Sequence, residues 1–178
     1  MDTQECNSWW CAVQVRPKHE LVTAKMLEYK GYEQFVPTYR GRCKWSDRIK
    51  EVELPLFPGY IFCRAGGAVS WPIVTTRGVI RIVCAGNRIA RIEDRELEAI
   101  RAVVNHHFKA EPYKYFRGGD RVRIVDGPLT GIEGTVLSYR NKTWLVLSIN
   151  QVQSSIVVDV AESSVELLPI SMMPRYEA

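Results

Sequence analysis

Apolar residues change their spacing along this chain so as to divide it into alternating strand and helix segments, followed by strands alone. Residues 9–15 form an aromatic and β-branched run that predicts a strand, ended by Arg16, Pro17 and Lys18, a proline placement suited to a first helical turn. A helix of about three turns follows at once. Leu21, Ala24 and Leu27, with Val22, Met26 and Tyr29, give it a wide apolar stripe, and Gly31 sits where a helix stops. Residues 34–39 and 51–56 predict strands joined by a basic connection, and 60–64 resumes extended chain after the Pro58-Gly59 corner. Residues 69–76 predict a short helix ending at Gly78, and 79–84 a strand. Leu97, Ile100, Val104 and His107 repeat at helical spacing, and Glu93 and Asp94 put negative charge where that last helix's dipole favours it. The order is β-α-β-β-α-β with a final helix, the split β-α-β arrangement of an α+β domain, read as an antiparallel sheet with helices on one face.

Residues 108–118 lose periodicity and carry Pro112 and Gly118, which predicts an interdomain linker. Beyond it the pattern is all β. Val122 and Ile124 alternate with Arg121 and Arg123 before a Gly127-Pro128 turn, while Gly127, Gly131 and Gly134 are too dense for a helix. Residues 135–139, 143–149 and 156–160 supply further β-branched runs, with Arg140-Asn141-Lys142 as a hairpin turn. Five short strands in this space fit a small barrel, which also protects exposed edges.

Composition narrows the class. The chain has 178 residues, 46% hydrophobic and 25% charged, as in a globular protein with a real core. No run approaches the roughly 18 apolar residues of a membrane span, and Met1 to Ser8 carries Asp2 and Glu5 without a basic residue, unlike a signal peptide, so a cytoplasmic protein with no membrane partner is expected. The five cysteines are odd in number and show no CxxC pair, so they read as reduced structural thiols rather than disulfides or zinc ligands. Net charge is +4, and the excess lies in residues 1–107, with 16 Lys+Arg against 12 Asp+Glu; residues 108–178 hold 8 of each. That tilt favours a polyanionic partner for the first half.

Two side-chain groups carry candidate function. Trp9, Trp10, Phe57, Tyr60, Phe62 and Trp71 are concentrated in the first half, and strand alternation puts Tyr60 and Phe62 on one face with Ile61 on the other. Either both faces are covered, or one aromatic row forms an apolar patch of the kind that meets a protein partner. Arg40, Arg42, Lys44, Arg48 and Lys50, interleaved with Tyr39 and Trp45 and holding one acid, Asp47, suit phosphate contact with base stacking; the alternative is a solvated hairpin tip. Arg16, Lys18 and His19 extend the basic face. No nucleophile and base pair, HExxH motif or phosphate loop emerges, so neither an enzyme nor a metal or cofactor is indicated.

The ordered motifs Trp9-Trp10, Arg16-Pro17-Lys18-His19-Glu20, Phe35-Val36-Pro37, Leu56-Phe57-Pro58-Gly59-Tyr60-Ile61-Phe62, Thr76-Arg77-Gly78-Val79, and Gly119-Asp120 through Gly134 resemble the NusG family of transcription elongation factors. The resemblance runs over roughly residues 8–168. It implies a NusG-type N-terminal domain at 8–107, the linker at 108–118 and an SH3-like five-stranded KOW barrel at 119–170. It further implies binding to RNA polymerase, with Val13, Phe57, Tyr60 and Phe62 facing the clamp helices and Ser70 and Trp71 the gate loop. Arg16, Lys18, His19, Arg40, Arg42, Lys44 and Arg48 would contact upstream or non-template DNA. A monomer acting without chemistry is implied, suppressing pausing or termination.

The Trp71-Pro72 variant and the Lys18-His19-Glu20 stretch resemble specialised paralogues of the RfaH, LoaP and UpxY kind, which serve selected operons. In the family the KOW domain meets a ribosomal protein or Rho, but here Asn150 stands where its partner-facing loop carries an aromatic, which puts those contacts in doubt. One paralogue refolds this domain as a helical hairpin; the glycines and Pro128 favour a stable barrel here. A ribosome- or RNA-associated protein that borrows a KOW barrel is the alternative reading.

Overall fold

The computed structural model describes residues 8–44, 49–66, 71–114, 119–139 and 142–168, with the side chains of residues 42–44, 49, 50, 66, 138, 139, 142 and 162 also left aside. Strand β1 (Ser8–Val15) is central to the first half because both of its faces are apolar, with Trp10, Cys11, Ala12, Val13 and Val15 all buried. Helix α1 (Glu20–Tyr29) follows, and then β2 (Gln34–Phe35), β3 (Thr38–Lys44), β4 (Ile49–Pro55) and β5 (Tyr60–Gly66). Pro37, which has no N–H to give a ladder, divides the single strand expected over 34–39 into β2 and β3. Helix α2 (Trp71–Val74) is one turn, followed by β6 (Val79–Ile82), the short strands β7 (Cys84–Ala85), β8 (Arg88–Ile89) and β9 (Arg91–Ile92), and α3 (Asp94–Asn105).

The first sheet has the order β2-β5-β1-β6, with β9 also on β1, and β3-β4 forms a separate hairpin. The helices do not share one face, as the sequence pattern suggested. Ala24 and Leu27 of α1 cluster with Cys11, Val13, Val15, Ile61, Cys63 and Ala65. Leu97, Ile100 and Val103 of α3 cluster with Trp10, Ala12 and Phe62 on the opposite face. A strand apolar on both sides needs cover on both sides, and two helices supply it. The expected wide stripe of α1 is also narrower: Glu20, Thr23, Ala24 and Leu27, spaced at i, i+3, i+4 and i+7, are buried, while Val22 is 57% and Tyr29 94% exposed.

The second half is all β: β10 (Ala110–Lys114), β11 (Arg121–Ile124), β12 (Glu133–Tyr139), β13 (Lys142–Ile149), a 3₁₀ turn at Asn150–Val152, β14 (Ser154–Val160), a second such turn at Glu162–Ser164, and β15 (Val165–Leu167). Their order is β10-β14-β13-β12-β11-β15. The five strands expected of the barrel are present. The expected linker is shorter than 108–118, because residues 110–114 pair with β14 from Ala110 opposite Val158 to Lys114 opposite Ser154. Pro112 is tolerated there because β10 ends the sheet and pairs on one side only. One continuous buried cluster joins α3 to the barrel, through Ile149, Val152 and Ala110 among others.

Candidate functional site

The β1–β5 register sets Trp10 opposite Arg64, Ala12 opposite Phe62 and Gln14 opposite Tyr60 on the α3 side of the sheet. Alternation then sends Val13, opposite Ile61, to the other face, where it is fully buried beneath α1. Val13 therefore does not join a row with Phe57, Tyr60 and Phe62. Those three do share one cluster: Phe57 is 1% and Phe62 0% exposed, and Tyr60 is half-buried against them. The aromatic face is covered, and its cover is α3.

Arginine and aromatic contacts fasten that cover. The Arg101 guanidinium of α3 lies 4.8 Å from the Trp10 ring and 5.1 Å from that of Phe35, and Arg64 stacks on Trp10 at 5.9 Å. Glu33 bridges the two arginines at 3.3 Å and 3.4 Å. Beside this cluster the hairpin β3–β4 and the C-terminal half of α3 leave an open cleft of about 1200 Å³, lined by Tyr39, Leu54, Val104 and Phe108 with Arg40 and His107 at its edges. Its walls are mixed, with Glu53, Lys109 and Glu111 among the apolar side chains, a surface that can meet a partner helix through both apolar and charged contacts.

The sequence motifs converge on α1, which sequence spacing does not reveal. Glu20, 4% exposed, accepts the Gly59 N–H at 2.8 Å, so the helix start holds the Pro58-Gly59 corner. Thr23 donates to the Arg77 carbonyl at 3.2 Å, and Lys30 donates to Thr76 Oγ1 at 2.7 Å and the Pro72 carbonyl at 2.9 Å. Gly78 has φ +95°, and a Cβ there would stand 2.3 Å from Thr23 Oγ1, so glycine is required by both conformation and space. This bracing carries α2, on which Trp71 is 73% exposed; Ser70 lies outside the described residues.

Arg16, Lys18 and His19 are exposed together at the start of α1. Arg40 is exposed, and the β3–β4 register puts Glu53 opposite Arg40 and Glu51 opposite Arg42. The side chains of Arg42 and Lys44, and all of Arg48, lie outside the described residues. The sequence reading missed a shallow hollow of about 430 Å³ on the outer side of α1, lined by Val22, Met26, Tyr29, Lys25, Lys30 and Arg77. Its signal was present in the exposed half of the apolar stripe.

Two electrostatic features stand out. Burial pushes the Cys11 and Cys63 thiols, paired across β1 and β5, up to about 12, with neighbouring thiols adding to the effect. At the barrel contact, Asn150 donates its side-chain amide to Glu96 Oε1 at 2.9 Å, and burial pushes the Glu96 carboxyl up to about 7. Among the described residues no group of three or more His, Cys, Asp or Glu is placed to hold a metal ion, and no helix there is long and apolar enough to cross a membrane.

A family model described as transcription termination factor NusG matches residues 8–101, more than half of the chain and all of the sheet just described. The chain belongs to the NusG family. It is 31% identical over 121 residues to the transcription termination/antitermination protein NusG of Pseudomonas aeruginosa, covering 66% of this chain and 68% of that protein. Its identity to the NusG of Thermus thermophilus is also 31% over 121 residues, covering 62% and 66% respectively. A solved structure on domain interaction in Thermotoga maritima NusG matches over 92% of this chain and 98% of that one, with a TM-score of 0.56 and 21% identity. The α+β architecture, a NusG-type domain followed by a small β-barrel, is thus that of the NusG fold.

Proposed function

We propose that this NusG-family chain binds RNA polymerase and acts as an elongation and antitermination factor on selected operons. The observation that carries the reading is the aromatic cluster organised by the Pro58-Gly59 corner, with Tyr60 and Tyr39 half-buried at its margin and a cleft of mixed apolar and charged lining beside it. Clamp helices of the polymerase would engage Tyr60 and the cleft, with Phe57 and Phe62 as the packed support beneath. Trp71, exposed on α2 and braced through Lys30 and Thr76, would reach with Ser70 toward the gate loop.

Such a factor performs no bond chemistry. It works by binding the active polymerase better than the paused one, and a preference of about 1.4 kcal/mol shifts that equilibrium tenfold. Arg16, Lys18 and His19, and Arg40 on the hairpin, would add contacts to upstream or non-template DNA, with Tyr29 on the outer side of α1 as a stacking surface. A ribosomal protein or Rho approaching the Asn150 turn would compete with its contact to Glu96.

Transcription in vitro through a pause and a terminator, with and without the protein, tests the reading. Shorter pauses and read-through that are lost with Tyr60→Ala are expected. A folded Tyr60→Ala variant that still binds core polymerase normally removes Tyr60 from the docking surface, and no effect of the wild-type protein on either signal defeats the functional reading.

A further inference from the structure

We propose that the contact between Glu96 and the Asn150–Val152 turn is a proton-sensitive latch, which docks the barrel on the N-terminal domain when Glu96 is neutral and loosens it when Glu96 is ionised. The inference does not rest on the polymerase reading. The turn sits against β9 and the start of α3, and Val152 is buried in the cluster shared by both halves of the chain. Asn150 Nδ2 satisfies one oxygen of Glu96 at 2.9 Å. The other, Oε2, is buried without a partner, and so is Gln151 Oε1 on the next residue. This is an interface short of donors: an ionised carboxylate leaves one oxygen desolvated and unpaired, whereas a carboxyl group brings an O–H of its own.

The surrounding charges do not reverse that preference. From α3 itself, Glu93 opposes ionisation of Glu96 and Arg95 favours it, but Arg95 is ion-paired with Glu93. From β9, Arg91 is exposed and lies over the Trp9 ring at 4.1 Å. From the barrel, the side-chain amide and backbone N–H of Asn150 favour the ionised form, but by less than burial opposes it; Gln151 is uncharged, and residues 143–149 of β13 include no ionisable side chain. Burial is the largest cause holding the carboxyl near 7, against an ordinary value of 4.5. The docked form therefore binds the additional proton. Docking is fully favoured below the ordinary carboxyl range and weakens as pH rises toward 7, by on the order of ten- to a hundredfold between pH 5 and pH 7. Only residues 106–109 separate α3 from β10, so the barrel stays at high local concentration and a change of this size moves it between docked and loosened forms.

Nuclear Overhauser contacts between the Val152 methyls and residues of β9 and α3, followed from pH 5 to pH 8 in the full chain, test the latch. The wild-type contacts are expected to be strong at pH 5 and to fade by pH 8. Glu96→Gln, a neutral isostere, is expected to keep them at both. Wild-type contacts that do not change with pH overturn the proposal, as does a Glu96→Gln variant that fades in step with the wild type or lacks the contacts throughout. The Glu96 carboxyl carbon gives a second measurement: it should titrate near 7 in the wild type, and a wild-type titration near 4.5 would also overturn the proposal.

Discussion

Phe57 meets Phe62 edge-on, with ring centroids 5.3 Å apart and planes at 79°. One ring comes from the corner before β5 and the other from within that strand, so the turn and the strand are tied through the core rather than through the surface. Truncation of either ring removes a buried aromatic and is expected to cost about 3–5 kcal/mol in chemical denaturation. Tyr60→Ala, at a half-buried position, is expected to cost less than half as much while weakening polymerase pull-down. A Phe62→Ala protein of near wild-type stability would contradict the packing described.

Gly78 and Thr23 set up a second test. Gly78→Ala combines a left-handed backbone with an overlap against Thr23 Oγ1, and a loss of about 2–4 kcal/mol is expected. Thr23→Ala removes the obstructing oxygen, so the double variant should recover part of that loss, giving a coupling of about 1 kcal/mol or more in a double-mutant cycle. Strict additivity would mean that the helix is not what confines the Thr76-Arg77-Gly78 turn.

At the other end of α1 the question is whether Glu20 acts as a charge or as an acceptor. Its Oε1 takes the Gly59 N–H, and a side-chain amide oxygen can take the same bond. Glu20→Gln should therefore keep most of the stability, while Glu20→Ala leaves that N–H unmet and should lose about 1–3 kcal/mol. Equal losses in the two variants, measured by denaturant midpoint, would assign the role to charge.

Local signals carried the element order well and the placement of faces poorly. Pro17 and Gly31 bracket α1, and Gly127 and Gly131, both at positive φ, break any helix in the barrel, because each acts through its own backbone. Val13 and Phe62 are both apolar strand residues on neighbouring strands, and only the register, Val13 opposite Ile61, reveals that they face different helices. The cover over Phe57 and Phe62 depends on where α3 returns, as do the docking of the Asn150 turn and the recruitment of residues 110–114 into the barrel sheet. These are contacts between distant segments, which spacing along one segment does not encode. Tyr29 was misplaced for the opposite reason: an apolar stripe can be wider than the surface available to bury it.

The paired thiols make the chain sensitive to alkali. Cys11 and Cys63 hold their protons up to about 12 when folded, against 9.0 for an ordinary cysteine thiol. The unfolded chain thus loses protons first as pH rises, and stability present below 9 should decline as pH climbs toward 12. Denaturant midpoints that are level from pH 7 to pH 9 and fall above it are expected, with a shallower fall in Cys11→Ala/Cys63→Ala. In the same frame, a thiol-alkylating reagent at pH 8 should label the exposed Cys84 and spare Cys11 and Cys63 until denaturant is added. Labelling of Cys11 in the folded protein at a rate matching Cys84, read by peptide mass mapping, would show that the sheet beneath α1 opens far more readily than its packing implies.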